Sequence, residues 1–347
     1  MTRRGRRASA LAILAALSLL LTVAPATDAA AASGHVTRRT EPADAVSEAR
    51  DYLVYTPPRL ANFRARSLVV FLHGCTQTAN DAMDSTPWNK LADERGFVVV
   101  YPEQSTAVDG SAARCWNSGQ APVYPRGQHE LETIARITRE VRGEFRIRSG
   151  RVFIAGISAG ANMTGSMAAT YPDLYAAMGS VVGCGYPCGE PTGVGAWNRM
   201  GPYVRLVPGF FVAGTADYLI DPAASQGGVS GWVGANDLAD DGSLNGSVSH
   251  QPVVEQRGFD QAAAPSTDAC VKYARNPCPA GIVGWRDYPT TVSRYLDRAG
   301  RVVVESWLLH GLSHNYPGGD ANNGTFADPH GPDVTTAMYD FFVAHAR

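Results

Sequence analysis

The chain has 347 residues, 45% of them hydrophobic, with 36 Gly and 22 Pro, enough for one large α/β domain or two small ones, with a sizeable core. Its 30 basic and 32 acidic side chains leave a formal charge of −2, which offers no electrostatic footing for nucleic acid or another polyanion. Outside the N-terminus there is no Lys/Arg-rich run.

Residues 1–32 read as a signal peptide. Arg3, Arg4, Arg6 and Arg7 form a basic start, Ala8 to about Ala24 an apolar stretch, and Ala26 to Ala32 an Ala-rich cleavage zone. The apolar stretch is short for a membrane span, so export to the extracellular space is expected, with no stable membrane association. The paired arginines leave both the general and the twin-arginine route open. Six cysteines suit that oxidising destination. Cys184 lies close to Cys188 and Cys270 close to Cys278, which leaves Cys75 with Cys115. Other pairings remain open. No C-x-x-C pair or nearby His cluster points to zinc.

Residues 33–50 are polar and read as a flexible leading segment, before a catalytic domain over 51–347. Asp51 to Tyr55 alternates like a strand and stops at Pro57-Pro58. Ser67 to Leu72 and Gly96 to Tyr101 are continuous apolar runs, as buried strands should be, with a helix expected near Asn89 to Arg95. From His129 to about Phe145, Leu131, Ile134, Ile137 and Val141 recur at helical spacing. Val152 to Ala155 predicts a strand and Ala161 to about Tyr171 a helix. Further strands are expected at Ala177 to Val182, Gly209 to Ala213 and Val302 to Leu309, and a last helix at Asp333 to His345. The interval of about 218–288 breaks this alternation and reads as an insertion over the active face. Alternating strands and helices predict an α/β fold with a mostly parallel central sheet and helices on both faces.

Gly156-Ile157-Ser158-Ala159-Gly160 sits between a predicted strand and a predicted helix. That is the setting of a nucleophile elbow, a sharp turn that holds a serine clear of the sheet. A serine hydroxyl needs a base, and the base needs an orienting acid. In α/β hydrolases these follow in the order Ser, Asp or Glu, His, each on a loop after a strand. Asp217 follows the strand at Gly209, with Asp221 a nearby rival. His314 lies on a Gly-rich loop after the last strand, with His310 nearer the strand end. The amide of Ala159 is the expected first oxyanion donor. The second is expected in His73-Gly74-Cys75-Thr76-Gln77, at Cys75 or, failing that, Thr76. His73 is expected to brace this loop. Trp116, Asn117, Trp232, Trp285 and Tyr316 are open to two readings, a substrate cleft or packing.

These segments, with Cys115-Trp116-Asn117, Gly214-Thr215-Ala216-Asp217 and His314-Asn315-Tyr316-Pro317-Gly318-Gly319, resemble the secreted polyhydroxybutyrate (PHB) depolymerase/esterase family. That family is similar in turn to the feruloyl and acetylxylan esterases of the α/β-hydrolase superfamily. The resemblance runs from about Asp51 to the C-terminus. It implies an α/β-hydrolase fold, with Ser158 as nucleophile, Asp217 as orienting acid and His314 as base. It implies a polyester or small ester as substrate; the triad chemistry requires neither metal nor cofactor, and a monomer is expected. The family usually has Trp where Tyr316 stands and Gly where Ala161 stands, departures that bear on substrate shape. The chain ends soon after the His314 loop, so soluble or amorphous ester is the expected substrate in preference to crystalline polymer. A feruloyl or acetylxylan esterase is the second reading, and a binding protein on a hydrolase scaffold the third.

Overall fold

The computed structural model describes residue 1 and residues 34–63, 66–106, 113–117, 124–258 and 288–347. The strands are β1 (His35–Glu41), β2 (Arg50–Thr56), β3 (Leu68–Leu72), β4 (Val98–Pro102), β5 (Val152–Ile157), β6 (Ala177–Val181), β7 (Gly209–Gly214), β8 (Val253–Arg257), β9 (Thr290–Leu296) and β10 (Val302–Leu309), with the two-residue strands β11 (Tyr316–Pro317) and β12 (Ala327–Asp328). Between them run α1 (Ala79–Ser85), α2 (Trp88–Arg95), α3 (His129–Glu144), α4 (Ala159–Thr170), α5 (Val194–Met200), α6 (Pro222–Asp241) and α7 (Val334–Ala344).

The first ten strands form one sheet in the order β1-β2-β4-β3-β5-β6-β7-β10-β9-β8. The pairs from β4 through β3, β5, β6 and β7 to β10 are parallel, and the outer pairs are antiparallel. Alternation along β3 shows how one apolar run serves two layers. Leu68, Val70 and Leu72 pack with α3, α4, α5 and α6, for example with Ile134, Met163, Met200 and Trp232. Val69 and Phe71 pack on the other face with α1, α2 and α7, through Ala82, Trp88, Met338 and Phe342. All five β3 residues are fully buried, as a strand covered on both faces must be.

Two expectations need correction. The leading segment of residues 33–50 is not simply loose: β1 pairs with β2 along seven residues, and Arg39 forms an ion pair with Glu144 on α3. Its alternating polar pattern hid an edge strand, which needs little apolar content. The described part of the interval 218–288 belongs to the core architecture. α6 buries Val229, Trp232 and Val233 against the sheet, its Trp232 indole N–H donating to the Val207 carbonyl at 2.8 Å. β8 extends the sheet beside β9. Cys270 and Cys278 with their expected pairing, Trp285, and residues 2–33, which hold most of the expected signal peptide, lie outside the described residues.

The chain steps from β3 outward to β4, then crosses back to β5 on the other side of β3. In parallel sheets such a reversal leaves a crevice at the carboxyl ends of the strands. The turns after β3 and β5 meet there.

Candidate active site

Ser158 occupies the turn between β5 and α4 with φ 57° and ψ −122°, a left-handed conformation that a serine adopts only when its surroundings impose it. Its own amide donates to the Val181 carbonyl at 2.9 Å. The close fit behind it depends on Gly160, where a Cβ would stand 2.2 Å from the Leu72 carbonyl oxygen and 2.4 Å from that of His73. Any side chain there would push α4 away from the end of β3.

His314 reaches this turn from the loop after β10. Its Nε2 lies 2.8 Å from the Ser158 hydroxyl, and its Nδ1 lies 2.8 Å from one Asp217 carboxylate oxygen and 3.0 Å from the other. The His314 and Asp217 side chains are both 2% exposed, so the pair is screened from water. One Asp217 oxygen also accepts the amides of Leu219 and Ile220, each at 2.9 Å, which fixes the carboxylate in the turn after β7.

The loops carrying the two residues are laced together. The Thr215 amide donates to the Leu309 carbonyl at 3.1 Å, and that of Ala216 to Leu312 at 3.0 Å. The Gly311 amide donates to the Thr215 hydroxyl at 2.9 Å. The rival residues lie elsewhere. Asp221 caps α6, accepting the Ala223 amide at 2.8 Å. His310 pairs through Nε2 with the Thr291 hydroxyl at 2.9 Å, and burial holds its pKa below the usual histidine value.

The loop after β3 lies against the serine: a Cβ on Gly74 would be 3.1 Å from Ser158 Cβ. The Gly74 amide donates to Gln77 Oε1 at 2.8 Å, the Thr76 amide to the Ala113 carbonyl, and the Gln77 amide to the Gly74 carbonyl at 3.3 Å. Among the amides of Gly74 to Gln77, that of Cys75 alone has no acceptor among the described residues. The Ala159 amide, at the first position of α4, is one that the helix itself does not satisfy. A disulfide joins Cys75 to Cys115, and another joins Cys184 to Cys188.

His73 is fully buried behind this loop. Its Nδ1 faces the Gly74 carbonyl at 2.7 Å, and its Nε2 accepts the Gln104 amide at 2.9 Å. Burial pushes its pKa down to about 4, so it is a neutral brace. Gln104 also donates to Glu130 at 2.5 Å and to the Cys115 carbonyl at 3.0 Å, and Arg50 donates to Gln104. Burial lifts the Glu130 carboxyl, against the pull of Arg50.

Trp116, Tyr316 and Trp232 take the packing reading. Trp116 is 3% exposed; its indole N–H donates to the His73 carbonyl at 2.8 Å, and its ring lies under Arg50. Tyr316 is fully buried, with its ring edge-on to Phe71 and its hydroxyl 2.7 Å from that of Thr335. Trp232 is a core residue of α6. Asn117 is half-buried, and its amide donates to Glu130 at 2.8 Å.

The space beside the serine is instead a largely apolar cavity of about 130 Å³, bounded by Gly74 to Gln77, Ile157, Leu219, His314 and Phe326. Tyr218 and Phe326 set their rings edge-on to the His314 imidazole. Sequence reading missed these residues. Tyr218 and Leu219 were adjacent to the chosen Asp217, whereas Phe326 carried no periodic or motif signal. Among the described residues, no group of three or more His, Cys, Asp or Glu side chains is placed to hold a metal, and no helix is long and apolar enough to cross a membrane.

Residues 50–206 match the sequence profile of the family described as esterase PHB depolymerase. Poly(3-hydroxyalkanoate) depolymerase C of Paucimonas lemoignei is 30% identical over 260 residues, covering 72% of this chain and 55% of the relative. Acetylxylan esterase A of Aspergillus oryzae is 35% identical over 158 residues, covering 45% of this chain and 48% of the relative. The chain thus spans about half the length of these curated relatives. Among solved structures, the acetyl xylan esterase from Aspergillus awamori is similar in fold, with a TM-score of 0.57, 21% identity, and coverage of 90% of this chain and 100% of that one. The parallel sheet, its two helical layers and this likeness make the fold that of the α/β hydrolases, and residues 50–206 of the chain belong to the family described as esterase PHB depolymerase.

Proposed function

We propose that the protein is a secreted, monomeric serine carboxylic-ester hydrolase that works through an acyl-enzyme. The observation that carries this reading is the chain of contacts from Asp217 through His314 to the Ser158 hydroxyl, with 2.8 Å at each junction. His314 Nε2 takes the hydroxyl proton as Ser158 Oγ attacks the ester carbonyl, and Asp217 stabilises the imidazolium that forms. The oxyanion receives hydrogen bonds from the amides of Cys75 and Ala159. Preorganised donors of this kind supply ~3 kcal/mol each to the transition state. His314 then returns its proton to the departing alkoxide. Water, activated by the same imidazole, releases the acid and restores Ser158. None of these steps calls for a cofactor.

The substrate we favour is a poly- or oligo-hydroxyalkanoate ester of the hydroxybutyrate type, by likeness to the Paucimonas depolymerase. Acetylxylan is the second reading, favoured by the 35% identity to the Aspergillus enzyme. The basic and apolar leader supports export. A panel of short acyl esters, amorphous PHB film, acetylated xylan and feruloylated sugars tests the assignment. Hydroxybutyrate release from the film at rates above acetate release from xylan supports the first reading, and the reverse order supports the second. No turnover of any ester by purified protein overturns both.

A further inference from the structure

We infer that Phe326 is the residue that measures acyl length, closing the far side of the cavity beside Ser158. The inference rests on the reading of Ser158 as nucleophile. Phe326 has φ 62°, a costly conformation for an aromatic residue that persists only under strong local constraint. The constraint is visible on both sides. Its carbonyl accepts the Tyr316 amide at 2.8 Å, and the preceding carbonyl, of Thr325, accepts the Gln77 amide group at 2.9 Å. The next residues, Ala327–Asp328, are held beside Tyr316–Pro317 as β12 on β11. The backbone that carries the ring is therefore held on both sides, and the ring packs edge-on against His314 with centroids 5.9 Å apart.

Gln77 ties this wall to the oxyanion loop. Its Oε1 holds the Gly74 amide while its Nε2 holds Thr325, so the depth of the cavity and the position of the Cys75 amide are set by one buried side chain. The cavity of about 130 Å³ is small beside the ~300–1,000 Å³ of pockets for drug-sized ligands, so it suits a short acyl chain. We assign it to the acyl side on chemical grounds. The alkoxide must leave and be replaced by water, so its side has to open to solvent, whereas the acyl group stays bound through both half-reactions. One methylene too many in such a pocket is worth ~10- to 200-fold in kcat/KM.

The experiment is a kcat/KM ladder on 4-nitrophenyl acetate, butyrate, hexanoate and octanoate for the wild type, Phe326→Ala and Leu219→Ala. A second ladder uses acetate esters of lengthening alcohols. The wild type should fall steeply beyond butyrate. Phe326→Ala should raise the hexanoate-to-acetate ratio by about 10-fold or more, and Leu219→Ala, at the exposed rim, by less. If Phe326→Ala does not fold, Phe326→Leu is read on the same ratio. A ratio within about twofold of wild type overturns the inference, as does a shift seen only in the alcohol ladder. Labelling of Ser158 by a fluorophosphonate keeps the two levels apart. Absent labelling and absent turnover would defeat the serine-esterase reading, whereas normal labelling with an unchanged ratio defeats only the assignment of Phe326.

Discussion

His314 Nε2 stands 2.8 Å from the Ser158 hydroxyl although 156 residues separate them in the chain. Neither residue has freedom to drift: Ser158 is fixed by a strained turn, and His314 by the buried carboxylate of Asp217. Ser158→Ala should accordingly remove at least ~10³-fold of kcat while leaving the circular dichroism spectrum unchanged. A fluorophosphonate should label the wild type at Ser158. Labelling at another serine would defeat the assignment.

The two nearby aspartates should separate cleanly. In Asp217→Asn, the side-chain oxygen can still accept the Leu219 and Ile220 amides. That orientation turns the NH₂ toward His314 Nδ1, which selects the tautomer with a proton on Nε2, where it cannot accept from Ser158. Turnover should fall by ~10⁴-fold. Asp221→Asn keeps a good N-cap on α6 and should stay within about twofold of wild type. Both variants are assayed on one soluble short-chain ester, and a crippled Asp221→Asn would reassign the orienting acid.

Much of this arrangement was legible because each part has a local cause. Continuous apolar runs such as Val152 to Ile157 declare buried strands, and a serine between glycines at the end of one declares a turn. Asp217 was legible as a loop residue after β7, and the structure then separates it from Asp221 by giving the latter a helix to cap. What stayed hidden depends on contacts between distant segments. β1 is polar because it is an edge strand, so it lacks the apolar alternation that marks a half-buried one. Trp116 and Tyr316 sit in motifs beside the site, yet their large rings are spent on packing against Arg50 and Phe71. Sequence position cannot tell the wall of a pocket from its foundation. Phe326 is the converse case, a wall placed by its carbonyl's bond to the Tyr316 amide and by the bond of neighbouring Thr325 to Gln77, far away in the chain.

The two described disulfides should contribute unequally. Cys75 and Cys115 close a separation of 40 residues and Cys184 and Cys188 one of 4. Loop-closure entropy then assigns ~4 kcal/mol to the first and roughly half that to the second. The first also anchors the loop holding the Cys75 amide. Replacing Cys75 and Cys115 together by Ser should lower both Tm and kcat, whereas replacing Cys184 and Cys188 should lower Tm less and kcat little. Thermal melts and steady-state rates of the two double variants decide it; equal losses of kcat would mean that the first disulfide has no special hold on the site.

The buried imidazole of His73 should make the protein sensitive to mild acid. Its Nδ1–H donates to the Gly74 carbonyl and its Nε2 lone pair accepts the Gln104 amide, so a second proton would set two donors face to face. Burial, with Arg50 and Arg114 adding to it, lowers its pKa from 6.5 to about 4. In the unfolded chain His73 protonates near 6.5, so between those values the unfolded state binds more protons and stability falls as pH drops. The contribution is complete above 6.5, is lost progressively toward 4, and amounts to ~2 kcal/mol between pH 7 and pH 5. Glu130 acts in the opposite sense, since its raised carboxyl pKa means the folded state takes up that proton first. Urea midpoints at the two pH values should therefore show a smaller acid-side loss in His73→Gln, whose side chain can still accept a hydrogen bond. The His73 ring proton resonances should also stay fixed from pH 7 to pH 5. A resonance of His73 titrating with a midpoint near the unperturbed value would show that the brace accepts its proton while folded, and would remove this source of acid sensitivity.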